Sequence, residues 1–185
     1  MAHQAPDTEL AQPTSTGGER KRKITESFVA LAMGRSGAQD AAHTALELAR
    51  TQGQAPATNN ALGVVEIRMP AGFSPPPHIH HDEDEAFYLL SGRIEAQLGD
   101  QKIPAQQGSF LWLPRNVLHG FVVSAEGPCM ILTIATPAGF AGFVAEVGAA
   151  TTTTDRLPEP SEPDIPRLVE IAGRYGIEFP PPPND

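Results

Sequence analysis

Between residues 62 and 136 the chain is a succession of short β-type runs separated by residues that turn a backbone, and this rhythm limits the folds open to it. The runs cover 62–69, 85–91, 93–98, 109–113, 120–124 and 129–136. Between them lie Pro70-Ala71-Gly72, Ser91-Gly92, Gly99-Asp100, Pro114-Arg115-Asn116 and Glu126-Gly127-Pro128. Short strands at such regular spacing predict an all-β sandwich or barrel. No internal repeat of 20 residues or longer is present, which excludes solenoids and propellers.

The flanks divide the chain further. Residues 1–23 are dominated by Gln, Pro, Thr, Ser and Gly, and are expected to form a flexible, disordered N-terminal tail. Residues 24–61 read as an N-terminal extension. Within it 24–33 suits a strand or a short helix, and Ala41, Ala45, Leu46 and Leu48 favour a helix over 40–50. The barrel is assigned to 62–136, and C-terminal helices and a tail to 137–185. Thr136 as N-cap and Pro137 at the first helical position predict a helix with Phe140, Phe143, Val144 and Val147 on one face and Gly148 as its stop. That stripe is expected to pack on the outside of the barrel. A Thr- and Pro-rich linker covers 149–163, after which Asp164 caps a second helix with Ile165, Leu168, Val169 and Ala172 on one face. The prolines at 180–183 end the ordered chain.

A chain of 185 residues fits one domain with tails and can bury a sizeable core. Its formal charge of −9 excludes the broad basic surface that grips nucleic acid by releasing counterions. The one basic run, Arg20-Lys21-Arg22-Lys23, follows polar residues and reads as a solvated tail. Cys129 is the single cysteine, so no internal disulfide can form, and it is expected to pack as a small apolar residue. No apolar run approaches the ~20 residues of a membrane helix, and the N-terminus lacks the apolar stretch of a signal peptide. The expectation is a cytoplasmic protein with a small-molecule partner and neither nucleic acid nor membrane contacts.

The histidines carry the chemistry. His78 and His80 stand two apart, Glu85 follows five residues on, and His119 comes beyond two further strands. Residues i and i+2 of a strand project from one face, so both histidines can point into a barrel while His81 points away. Glu85, after the turn Asp82-Glu83-Asp84, can reach the same point, and His119 can complete the set from a strand across the barrel. Three neutral imidazoles and one carboxylate suit a single first-row divalent ion, whether Fe, Mn, Co, Ni, Cu or Zn, and leave two octahedral positions open. The local charge of about +1 would draw in an anionic enolate or phenolate.

These residues resemble the cupin family. Its first motif, Gly, five residues, His-x-His, a few residues, Glu, six residues and Gly, is met by Gly72, His78-Ile79-His80, Glu85 and Gly92. Its second, Gly, five residues, Pro-x-Gly, two residues, His, three residues and Asn, is met by Gly108, Pro114 and His119. Asn116 stands where the motif has its second Gly, and Val123 where it has Asn; neither departure removes a ligand, and Asn takes the left-handed turn conformation nearly as well as Gly.

The stretch from Pro75 to Leu90, the Phe140 helix and the Arg174-Tyr175-Gly176-Ile177-Glu178-Phe179 tail look like the single-domain bacterial cupins described as similar to quercetin 2,3-dioxygenase. The resemblance implies a double-stranded β-helix, or jelly-roll, barrel that binds a metal through His78, His80, Glu85 and His119. It further implies a metal-dependent dioxygenase acting on a flavonol-like or enolisable phenolic molecule, with Glu85 as proton acceptor. Such barrels commonly pair through their N-terminal strands, so a homodimer is expected. Two other readings stand beside it: a redox-neutral isomerase, cyclase or lyase using the metal as a Lewis acid, and a non-enzymatic small-ligand-binding cupin.

Around the ligands, Tyr88 and His81 are expected to point away from the metal. Phe73, Phe87, Leu89, Phe110, Trp112, Phe121, Met130, Leu132 and Ile134 are candidates for the lumen. Asp82, Glu83 and Asp84 read as a solvated turn in which one residue could hold a ligand histidine through its far nitrogen. His3 and His43 are bystanders.

Overall fold

The computed structural model describes residues 27–36, 44–52, 58–151 and 164–181. The expected tail over 1–23, His3, His43, most of the linker and the last prolines lie outside these residues. The first elements are β1 (Ser27–Ser36), β2 (Thr44–Gln52), β3 (Gly63–Met69), β4 (Phe73–Ser74), β5 (Ile79–His80) and β6 (Asp84–Ser91). They are followed by β7 (Arg93–Leu98), β8 (Gln101–Gln106), β9 (Phe110–Leu113), β10 (His119–Val123) and β11 (Cys129–Thr136). The chain closes with α1 (Gly139–Val147), β12 (Ala149–Thr151), α2 (Ile165–Arg174) and β13 (Ile177–Glu178).

One large sheet runs in the order β12-β1-β2-β3-β11-β6-β9, with β4 on β1, and faces a smaller sheet β10-β7-β8. Strands pair antiparallel throughout. This is an all-β jelly-roll barrel with C-terminal helices. Strand alternation builds its interior: Val65, Ile67 and Met69 of β3 face inward, as do Ile131 and Ala135 of β11 and Ile94 and Ala96 of β7. Phe121 links the sheets, its ring 6.3 Å from Phe73 and 5.5 Å from Phe87. Burying one such aromatic stabilises the fold by roughly 2–3 kcal/mol.

Several expectations are corrected. Of the helix expected over 40–50, the described residues 44–50 belong to a strand, β2, paired with β1 and β3. Leu46, Glu47 and Leu48 alternate with the strand period of two, and sheet pairing on both edges overrides the helix propensity of Ala and Leu. β8 was missed because Pro104 and polar residues conceal it; it pairs with β7 as the border of the small sheet, a position that tolerates proline. Phe110 and Trp112 do not line the lumen. They are 58% and 50% exposed, because β9 puts Leu113 inward and leaves these two beside Tyr88 on the outer face. On β11 the inward set is Ile131, Thr133 and Ala135, so Met130, Leu132 and Ile134 are only partly buried.

α1 also starts later than expected. Its N-cap is Ala138, which makes no side-chain cap, while the Thr136 hydroxyl instead donates to the Ala61 carbonyl at 3.0 Å. Phe140, Ala141, Phe143 and Val144 bury the apolar face of α1 against the barrel. α2 is capped as expected, Asp164 accepting from the Arg167 amide at 3.1 Å. It packs Leu168, Ile171 and Ala172 inward, and the Tyr175 hydroxyl donates to Glu146 of α1 at 2.9 Å.

Candidate metal centre

The ligand segment begins with Pro75-Pro76-Pro77, whose rings hold an extended backbone and whose carbonyls have no helix to bond. His78 leaves this segment opposite His119 in an isolated antiparallel bridge. His119, on β10 of the small sheet, is thereby set directly beside His78. His80 follows on β5, which pairs with β13, and Glu85 enters from β6. Asn116 completes the turn before β10 with φ of 63°, and its amide donates to the His80 carbonyl at 2.7 Å. The left-handed conformation expected of Asn116 is thus present.

All four expected ligands converge. One ligand atom from each of His78, His80, Glu85 and His119 lies within 4.8 Å of the others, and every one of these residues is buried. Bonds of ~2.1 Å to one ion would set such atoms about 3 to 4 Å apart, so a small contraction suffices.

The far nitrogens decide which ring atoms face inward. His78 Nδ1 donates to the Pro76 carbonyl at 3.0 Å, and His119 Nδ1 to the Val117 carbonyl at 2.9 Å. His80 Nδ1 donates to Glu83 Oε1 at 2.8 Å. Carbonyls and carboxylates only accept, so each Nδ1 carries a proton and, in the neutral ring, each Nε2 presents a lone pair. His80 Nε2, His119 Nε2 and Glu85 Oε2 are buried with no hydrogen-bond partner among the described residues. His119 Nε2 lies 3.2 Å and His80 Nε2 3.9 Å from Glu85 Oε2. Acceptor atoms that close repel unless a cation lies among them, so the residues fit a divalent ion.

The electrostatics agree. Burial, reinforced by the charges of His119 and His80, pushes His78 down to about 3. Burial also opposes a charged His80, but the carboxylates of Glu85 and Glu83 outweigh it and raise its pKa. For Glu85 burial favours the neutral acid, yet His80 and the close approach of His119 prevail and hold its carboxyl below the ordinary range. The site attracts positive charge and keeps its imidazoles dry.

The acidic turn is not uniformly solvated. Asp82 is exposed and Asp84 pairs with Arg115 at 2.8 Å, which lowers the Asp84 pKa, but Glu83 is 1% exposed. Counting Glu83, a doubly charged ion would meet two carboxylates and the local charge would be about zero instead of +1. His81 points outward as expected, bonded to Asn116 and Glu178, and Tyr88 lies on the outer face.

Two further residues escaped the sequence. The Phe179 ring lies 5.9 Å from that of His78, just beyond β13, which pairs with β5. The Thr133 hydroxyl is buried on an inward position of β11 without a hydrogen-bond partner among the described residues. The likeness to known cupins contains the 174–179 tail as a whole but does not single out Phe179, and an inward threonine has no sequence signal of its own.

Residues 65–135 match the family described as "Cupin domain". No curated protein matches the sequence at a significant level. Among solved structures, the chain resembles KdgF from Halomonas sp., at 21% identity over 49% of this chain and 78% of that one, with a TM-score of 0.45. It resembles the polyketide cyclase RemF from Streptomyces resistomycificus, at 20% identity over 66% and 80% of the two chains, TM-score 0.46. An RmlC-like cupin from Shewanella frigidimarina gives 20% identity over 50% and 77%, TM-score 0.44. No helix among the described residues is long and apolar enough to cross a membrane. The segment that matches the cupin domain, 65–135, supplies all four converging residues.

Proposed function

We propose that this protein is a metal-dependent dioxygenase of quercetinase type, acting on a flavonol-like or enolisable phenolic molecule. The observation that carries the metal dependence is the inward Nε2 set. Two ring nitrogens and one carboxylate oxygen are buried, mutually close and otherwise unbonded, while each Nδ1 is held by an acceptor. A divalent ion bound by His78, His80, Glu85 and His119 would supply Lewis acidity and, if redox-active, electrons for oxygen chemistry.

The chain's own groups do the rest. Glu85 is the one anionic side chain among the four ligands and accepts the proton of a phenolic or enolic hydroxyl brought to hydrogen-bond distance. Phe140 stands 5.8 Å from His80 and Phe179 5.9 Å from His78, so apolar rings flank two of the four residues. A neutral hydroxyl that surrenders its proton to Glu85 suits a site of near-zero charge better than a preformed anion does.

The test is oxygen uptake by metal-loaded protein with a panel of flavonols and β-diketones. Uptake that His78→Ala abolishes is expected. Turnover of the same panel under strict anaerobiosis would replace this reading with the redox-neutral one, and no turnover in either atmosphere would leave a ligand-binding cupin.

A further inference from the structure

We propose that Glu83 is a positioning residue for the metal centre, joining the N-terminus of α1 to His80 and holding that ring in its ligating tautomer. The inference deepens the metal-centre reading above and rests on it.

Glu83 is among the few charged side chains that the fold buries. Both its oxygens are committed: Oε1 accepts from His80 Nδ1 at 2.8 Å, and Oε2 accepts from the Phe140 amide at 2.9 Å. The second bond spans 57 residues and ends on a free amide in the first turn of α1, the turn that its own N-cap leaves without a side-chain partner. A carboxylate there meets the positive end of the helix as well as a hydrogen-bond donor. Gly139 permits the approach, because a Cβ at that position would lie 2.8 Å from Glu83 Oε2. His78 and His119 are held by backbone carbonyls, whereas His80 alone among the three is held by a charge. An anionic acceptor raises the basicity of the ring it orients, so His80 is the ligand whose donor strength the protein sets.

Only a carboxylate performs both tasks. Glutamine has one acceptor oxygen and a donor amide, so it cannot accept from Phe140 and His80 with separate atoms. If its oxygen stays on Phe140, its amide turns toward His80 Nδ1 and favours the tautomer protonated at Nε2, which offers the ion no lone pair.

The experiment compares full-length wild-type, Glu83→Gln and Gly139→Ala proteins by zinc titration, by thermal unfolding of the metal-free form, and by the ring 15N chemical shifts of His80. Glu83→Gln is expected to weaken zinc binding by about 10- to 100-fold and to shift His80 toward the Nε2-protonated form. Gly139→Ala, which keeps the carboxylate but displaces it, is expected to weaken zinc in the same direction and by less, and stands as the test if Glu83→Gln does not fold. A lower melting temperature with unchanged zinc affinity and unchanged His80 shifts would reduce Glu83 to a helix cap and overturn the proposal. Failure of the wild-type protein to bind zinc, cobalt or iron would instead overturn the metal reading itself.

Discussion

His78 and His119 face each other across a two-residue antiparallel bridge, each amide donating to the other's carbonyl at 2.9 and 3.0 Å, with their rings 4.6 Å apart. Two ligands from segments 41 residues apart in sequence are thus fixed by backbone bonds that no side-chain substitution removes. Replacing either imidazole by alanine leaves the bridge but takes one donor from the ion. Metal content after purification and dialysis is expected to fall from one ion per chain to near zero in His78→Ala and His119→Ala, with the β-sheet circular dichroism retained. Full metal occupancy in either variant would contradict the ligand set.

The metal-free protein should lose stability in mild acid. Unfolded His78 takes a proton near 6.5, whereas burial keeps the native ring neutral down to about 3. Between these values the unfolded chain binds the extra proton, so stability falls as the pH falls. His80 acts oppositely: its raised pKa gives a contribution that is complete below the ordinary histidine value and fades as pH rises through the native one. The denaturant midpoint of metal-free protein is expected to drop from pH 6.5 toward 4, and a flat midpoint across that window would show His78 to be solvated.

Thr133→Val tests the unpartnered hydroxyl on β11. The substitution preserves shape and removes a buried group without a hydrogen-bond partner among the described residues, so the melting temperature is expected to rise, by the equivalent of about 1 kcal/mol. Substrate turnover is expected to fall if that hydroxyl meets a ligand in the lumen. A lower melting temperature would mean that the oxygen is satisfied in solution.

Phe179→Ala removes the ring beside His78. β13 is held to β5 by two residue pairs, so little sheet pairing holds the segment in place. Release of bound metal to a chelator is expected to accelerate on the order of tenfold, the equivalent of ~1.4 kcal/mol of closing contact, with affinity changed far less than by loss of a ligand. Equal release rates would place the exit elsewhere.

Strand positions with clear alternation or turn punctuation were legible from the residues. β7 and β11 fall on the runs expected, β3, β6 and β9 differ from theirs by one residue at an end, and β10 is shifted by one residue at both ends. What misled was local preference set against a distant partner. The residues of β2 favour a helix until β1 and β3 offer two edges to pair with. Thr136-Pro137 has the composition of a helix start, yet the side chain that accepts from the first turn of α1 is Glu83, 57 residues away in sequence.

The candidate set was legible in the chain for His78, His80 and Glu85, whose two-residue spacing and intervening turn are local, whereas His119 joins them only through its backbone bridge to His78. Which ring nitrogen faces inward, which member of an acidic turn is buried, and whether an aromatic lines the lumen or the outer face were settled by tertiary structure. Those outcomes depend on acceptors, helix ends and sheet borders far away in sequence, and a hydrogen bond across 57 residues leaves no trace in the spacing of its neighbours.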